Sequence, residues 1–273
     1  MTPPARHEVR LPSGEALVFD WTPPAAGRAV AVFVHGLGSH RRGDKALHFA
    51  ERFAWIGWGF LALDLRGHGE SGGSIEQLSL SRCLEDLHAA LGWLAAQPSG
   101  PQPAAPPAAP PAEPWTARLL IGSSMGGAVA AWYQVRHPEP GRHVALIAPS
   151  LRFPARFAEL PAPELAEWQR SGFRRFASEW IDLRLGYGLV ADAARYPYAE
   201  LLARYVAPTL VLHGLQDVAV PWRESVDFLE RAACPDVDVV LVKQGDHRLT
   251  AHKGYLFDVI AAWLRQRGVL PPA

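Results

Sequence analysis

An α/β fold with a mostly parallel central sheet, helices on both faces and a helical cap insertion is what this sequence predicts, on three observations. Strand-like apolar runs alternate with helix-like amphipathic ones along the chain. With 273 residues and 49% apolar content, the chain can bury one large core. The alternation breaks between Ser150 and Arg204, directly after a strand-like run.

The strand-like runs are Ala16 to Asp20, Ala29 to Val34, Phe60 to Asp64, Leu119 to Gly122, Val144 to Ile147, Thr209 to His213 and Val237 to Val242. Each is a short apolar stretch bounded by turn formers, as buried parallel strands are. Ala46 to Trp55, Leu80 to Ala96, Met125 to His137, Arg223 to Ala233 and Tyr255 to Arg267 place apolar residues three and four apart, the period of a helix packed on a sheet. No internal repeat is present.

Two segments interrupt this order, and the sheet's polarity gives them different meanings, because ligands in open α/β sheets bind beyond the carboxyl ends of strands. Residues 98–114, almost all proline and alanine, precede the strand ending at Gly122 and are expected as an extended loop at the far edge. Residues 150–204 leave the sheet at its carboxyl edge and are expected to fold over it as a cap. Aromatics such as Phe157, Trp168 and Phe176 alternate there with Arg152, Arg156 and Arg174, and most of these rings are expected to pack the insertion's own core.

Lysine plus arginine and aspartate plus glutamate number 27 each. A balanced charge gives no field that would recruit nucleic acid or an anionic membrane. Cys83 and Cys234 fall in helix-like segments and read as small buried hydrophobes. The first residues lack an apolar signal core, and no run reaches the roughly 18 apolar residues of a membrane span. A cytoplasmic protein is the expectation.

Gly122-Ser123-Ser124-Met125-Gly126 sets a serine between glycines at the passage from strand to helix. There a sharp turn projects the hydroxyl over the sheet edge, so Ser124 is the candidate nucleophile. A serine hydroxyl needs a base, and the base needs an orienting group. Asp217 follows the strand-like Thr209 to His213, and His247 follows Val237 to Val242, giving the order Ser, Asp, His at successive strand ends. Ser123 lacks the flanking glycines, and Asp246, beside His247, is expected to bond backbone or face solvent. His68, His213 and His252 are read as structural or exposed. Oxyanion donors are expected from the backbone N–H groups of Met125 and of Leu37, in His35-Gly36-Leu37-Gly38, with His35 bracing that turn. The histidines form no zinc pattern, and Asp64-Leu65-Arg66-Gly67-His68-Gly69-Glu70-Ser71 matches no phosphate-binding loop, so neither metal nor cofactor is expected and the latter segment is read as structural.

Taken together, HGLG, DLRGHGES, GSSMGG, HGLQD and GDH, in this order, resemble the α/β-hydrolase superfamily over almost the whole chain. Within it, GSSMGG, HGLQDVAVPW and KQGDHRL are similar to the palmitoyl-protein thioesterase and acyl-glucuronide esterase group. The resemblance implies cofactor-free ester or thioester hydrolysis with Ser124 as nucleophile, Asp217 as acid and His247 as base, on a small acyl substrate. The same framework also serves peptidases, carbon–carbon hydrolases and cofactor-free perhydrolases, and a non-catalytic binding protein is the remaining alternative.

Overall fold

The computed structural model describes residues 4–25, 27–97, 115–178 and 181–271; the expected proline/alanine-rich loop at 98–114 lies outside them. Strands β1 (Ala5–Arg10), β2 (Ala16–Thr22) and β3 (Ala29–Val34) are followed by helix α1 (Asp44–Trp55). Next come β4 (Gly59–Asp64), α2 (Leu80–Ala96), β5 (Thr116–Ser123), α3 (Met125–Arg136) and β6 (His143–Ile147). The inserted segment holds α4 (Ala155–Ala158), α5 (Ala162–Ser171), β7 (Phe173–Ala177), β8 (Asp182–Gly186), α6 (Gly188–Ala193) and α7 (Tyr198–Arg204). The chain then returns through β9 (Thr209–Gly214), α8 (Arg223–Arg231), β10 (Val237–Val242) and α9 (Lys253–Gln266).

The eight-stranded sheet runs β1-β2-β4-β3-β5-β6-β9-β10, parallel from β4 onward, with β1 and β2 antiparallel at one edge. Period-two alternation sorts the strands' side chains into two cores. On β3, Val30, Val32 and Val34 join Leu120 and the α2 and α3 side chains, whereas Ala31 and Phe33 pack with Phe49 and Phe53 of α1 and Phe257 of α9. Both faces are therefore covered, as the continuous apolar runs require. Strand β1 is an addition to the sequence reading: Ala-Arg-His-Glu-Val-Arg offers little apolar signal and is mostly exposed, with its pairing to β2 supplied by the ladder.

The predicted cap contains helices as expected, but it also carries an antiparallel ribbon formed by β7 and β8. Trp168 is buried at the centre of this segment, donating Nε1–H to the Leu185 carbonyl at 2.9 Å, with Phe176 5.2 Å and Phe157 6.3 Å from its ring. The insertion's Phe157, Trp168 and Phe176 thus pack one another. Its far side reaches the sheet edge, where a Cβ on Gly38 would fall 2.8 Å from Ile181 Cγ2. Cys83 lies in α2 as expected, but Cys234 sits in the loop before β10, because α8 ends at Arg231; both thiols are buried.

A charged cluster fixes the turns after β3 and β4. Asp64, fully buried, accepts hydrogen bonds from the Arg41 N–H at 2.6 Å, the Glu70 N–H at 2.9 Å and the Arg41 guanidinium. Arg41 also faces Asp20 at 3.0 Å and Glu70 at 2.5 Å. The segment read as structural, Asp64 to Ser71, is that. Removing one partner of a buried pair leaves the other charge without compensation. Asp64→Ala is therefore expected to lower the unfolding free energy by ~3–5 kcal/mol, read from urea unfolding; a loss within the error of wild type would contradict this account.

Candidate active site

Ser124 stands at the junction of β5 and α3 with φ 54° and ψ −118°, a conformation that side chains rarely adopt. Its N–H donates to the Ile147 carbonyl at 2.9 Å, and its own carbonyl accepts from Gly127 and Ser150 at 2.9 and 3.0 Å. The neighbouring glycines are required sterically. A Cβ on Gly122 would lie 2.3 Å from the Gly126 oxygen, and one on Gly126 would lie 2.2 Å from the Val34 oxygen. Gly127 belongs to the same packing, since a Cβ there would meet Pro149 at 2.6 Å, a requirement the G-x-S-x-G pattern does not express.

Two loops bring Asp217 and His247 to this serine. The turn after β9 is stitched to the turn after β10 by Leu215 N–H to Val242 O and Gln216 N–H to Gly245 O, both at 2.9 Å. The backbones approach so closely that a Cβ on Gly214 would sit 2.1 Å from the Gly245 oxygen. Across this contact His247 Nδ1 lies 2.7 Å from Asp217 Oδ2, while His247 Nε2 lies 3.0 Å from Ser124 Oγ. Ser124, His247 and Asp217 form one hydrogen-bonded chain. Nδ1–H donating to the carboxylate leaves Nε2 as the acceptor facing the hydroxyl.

Asp217 is held on all sides. Its Oδ1 accepts the N–H groups of Ala219 and Val220, each at 2.8 Å, and its Oδ2 also accepts from His213 Nε2 at 2.9 Å. Burial favours the protonated acid, but the bonds from His213, His247 and the Val220 amide outweigh it and hold the carboxyl well below the usual carboxylate range. His213 was read from sequence only as structural or exposed; it is fully buried against the acid, and no linear pattern signals such a contact.

Leu37 lies in the turn after β3, which presses on the serine: a Cβ on Gly36 would be 3.1 Å from Ser124 Cβ. Met125 opens α3, where the first N–H groups have no acceptor within the helix. His35 braces its turn as expected. Its Nε2 accepts from Leu65 N–H at 3.0 Å and its Nδ1 donates to Gly36 O at 2.7 Å, and burial, with His68 close by, pushes its ionisation down to about 3, so the ring is neutral. Asp246 accepts from the Leu249 N–H at 2.7 Å. Ser123 is buried in β5, and His68 is buried beside His35. His252 ends the short turn that leads into α9.

Ser124 and His247 open into a cavity of about 480 Å³ bounded by the turn after β3, the start of α1 and the insertion residues Ser178 and Ile181. Among the described residues its polar wall carries Arg42, Lys45 and Arg248, with Asp44 as the one carboxylate. Lys45 donates to the Arg248 carbonyl at 2.5 Å, and burial together with the Arg248 charge pushes its ammonium down to about 8. Sequence reading did not single out this lysine. Among the described residues, no group of three or more His, Cys, Asp or Glu side chains is placed to hold a metal, and no helix is long and apolar enough to cross a membrane.

The depressed Asp217 carboxyl has a consequence for stability. Its folded value lies below the unfolded value of about 3.9, so its contribution is complete above that pH and is lost as pH falls through the folded value. Asp217→Asn removes this ionisation, and its stability is expected to fall less steeply than that of wild type below about pH 4. Urea midpoints measured from pH 2 to 7 check this; parallel curves for the two proteins would contradict it.

Known proteins resemble this chain over most of its length. The sequence model of the Hydrolase_4 family, described as serine aminopeptidase S33, matches residues 25–195. The mouse mitochondrial palmitoyl-protein thioesterase ABHD10 is 27% identical over 224 residues, covering 80% of this chain and 68% of that protein. A monoacylglycerol lipase of Mycolicibacterium smegmatis is 27% identical over 95% of this chain and 96% of its own length. Among solved structures, alpha/beta hydrolase domain-containing protein 10 from mouse superposes with a TM-score of 0.76 at 24% identity, covering 96% and 99% of the two chains. Est1E from Butyrivibrio proteoclasticus, in a structure with ferulic acid bound, gives 0.74 at 20% identity over 93% and 97%. With a family model matching well over half its length and the same fold in these structures, the chain is an α/β hydrolase and belongs to the Hydrolase_4 family.

Proposed function

We propose that this protein hydrolyses carboxylic esters or acyl thioesters through an acyl-enzyme on Ser124, and one observation carries the proposal: the unbroken chain Ser124 Oγ, His247 Nε2, Nδ1 and Asp217 Oδ2 facing a cavity of ligand size. His247 Nε2 takes the hydroxyl proton as Oγ attacks the acyl carbon. Asp217 holds the tautomer and stabilises the imidazolium. The carbonyl oxygen becomes an oxyanion that the Leu37 and Met125 N–H groups receive. Collapse breaks the bond to the alcohol or thiol, which leaves with the proton from His247. A water then repeats the sequence on the acyl-enzyme, releasing the acid and restoring Ser124. The reaction needs no cofactor.

The printed names of the thioesterase and lipase relatives support an acyl substrate. The inserted segment 150–204, acting as the cap, bounds the acyl site through residues such as Ile181. A cytoplasmic setting is part of this reading, beside relatives whose name is mitochondrial.

The family description favours a second reading, aminopeptidase activity. Such an enzyme must bind a substrate ammonium, which calls for carboxylates. Among the described residues of the cavity wall Arg42, Lys45 and Arg248 outnumber Asp44, and this balance supports the acyl ester over the peptide.

Turnover of p-nitrophenyl esters and acyl-CoA thioesters from acetyl to palmitoyl, with aminoacyl p-nitroanilides alongside, tests the proposal. Ser124→Ala is expected to lower kcat by at least about 10⁴-fold with the fold intact, because nucleophile and base act as a unit. Near-wild-type activity in that variant would remove Ser124 from its role, and faster turnover of the anilides than of any acyl ester would transfer the assignment to peptide hydrolysis.

A further inference from the structure

Asp217 Oδ2 is shared by two imidazoles. His247 Nδ1 approaches it at 2.7 Å and His213 Nε2 at 2.9 Å. The partners of His213 fix which nitrogen donates: Nε2 also lies 3.1 Å from the Val220 carbonyl, which only accepts, so Nε2 carries a proton, and Nδ1 pairs with the Ser225 hydroxyl at 2.7 Å. Both His213 and Ser225 are fully buried, so water supplies neither bond. Resting on the proposed triad, we infer that His213 is a positioning residue that sets the strength of His247 as a base by taking part of the charge of Asp217.

The position of the carboxylate and the charge on its outer oxygen are controlled separately. Oδ1 is anchored by the amides of Ala219 and Val220, so the group stays in place when Oδ2 loses a donor. With His213 donating, Oδ2 offers less charge to His247. The imidazolium is then less stabilised, and the ring is a free base at lower pH. Without that donor the full charge of Oδ2 faces His247, which holds its proton to higher pH.

Other ionisable groups surround this cluster, and one of them, Glu224, itself feels His213. Glu224 lies next to Ser225 on α8, with Arg156 3.7 Å from it and Arg152 acting on it at longer range. Asp246 and Arg248 flank His247 in sequence, with Lys45 bonded to the Arg248 carbonyl.

Two substitutions separate this role from packing. In His213→Gln the amide reaches the place of Nε2 and keeps a donor on Asp217. In His213→Asn the amide reaches only the place of Nδ1, keeping Ser225 satisfied and leaving Oδ2 to His247 alone. The acid limb of kcat/KM is expected to move up by roughly half a pH unit in His213→Asn, an approximately threefold loss of kcat/KM well below the limb, and to stay at the wild-type position in His213→Gln. Where His213→Asn does not fold, His213→Leu takes its place with the same expected shift. A limb that stays in place or moves down without the donor, or that moves equally in His213→Gln, would overturn the inference.

Titration of the His247 ring by NMR in the same variants reads the same shift without turnover. Loss of the triad reading, shown by activity surviving in Ser124→Ala, is thereby distinguishable from loss of this one, shown by a His247 ring that titrates alike in all variants.

Discussion

Everything at this sheet edge depends on how closely α3 is pressed into the strands that flank β5. The distances from Gly126 to the Val34 carbonyl, from Gly122 to the Gly126 carbonyl and from Gly127 to Pro149 are all too short for a methyl group. Backbone meets backbone there, and the first turn of α3 is wedged between the ends of β3 and β6. Ser124 takes its φ of 54° as the residue that bends the chain into this wedge, and its N–H and carbonyl are both tied to β6 or the residues just after it. Packing of the fold and projection of the hydroxyl are thus one constraint. A side chain that loosened the first would misaim the second, and the strain at Ser124 is held by contacts that the folded sheet supplies.

A second set of contacts prepares the turn opposite the serine. The turn after β3 carries Gly36 and Leu37, and its continuation is tied down by Arg41, which inserts between Asp20 on β2 and Asp64 on β4. His35 adds a neutral bridge from the same turn to Leu65. A buried ion pair gives little net stability because desolvation offsets much of the attraction, but it penalises any arrangement that separates the partners. The arginine therefore acts on geometry. It fixes where the turn after β3 lies relative to β4, and the proposed oxyanion donor Leu37 lies within the fixed segment.

Most of this plan was legible in the sequence because it rests on local signals. Buried parallel strands are continuous apolar runs, as Ala29–Val34 is, and the edge strand Val237–Val242 keeps enough valine and leucine to show; both read with the same bounds in sequence and structure. Ser124, Asp217 and His247 were legible because each follows such a run. What escaped has a tertiary cause. Strand β1 is polar and mostly exposed, so its pairing to β2 is a property of the ladder and not of its composition. Strand β8 alternates Leu183 and Leu185 with the exposed Asp182 and Arg184, but β7 reads Phe-Arg-Arg-Phe-Ala without alternation, and five residues each are too few to stand out from the helical pattern around them. The role of His213 is set by Asp217, Val220 and Ser225, which are neighbours only once the loop after β9 folds back on its own strand and α8 closes over it.

That closure also explains how a buried carboxylate can be both rigid and tunable. The backbone sets the distance between the two loops, since Gly214 and Gly245 are in contact and the Leu215 and Gln216 amides are bonded across the gap. The separation of Asp217 from His247 is therefore not left to side-chain flexibility. Within that frame the two oxygens of the carboxylate have different partners: amides on Oδ1 and imidazoles on Oδ2. Amide donors cannot titrate and give a fixed anchor. Imidazole donors are polarisable, and what one takes from the shared oxygen is withheld from the other. An acid built this way stays ionised against its own burial while the charge it presents to the proposed base is adjusted by a residue that never meets the substrate.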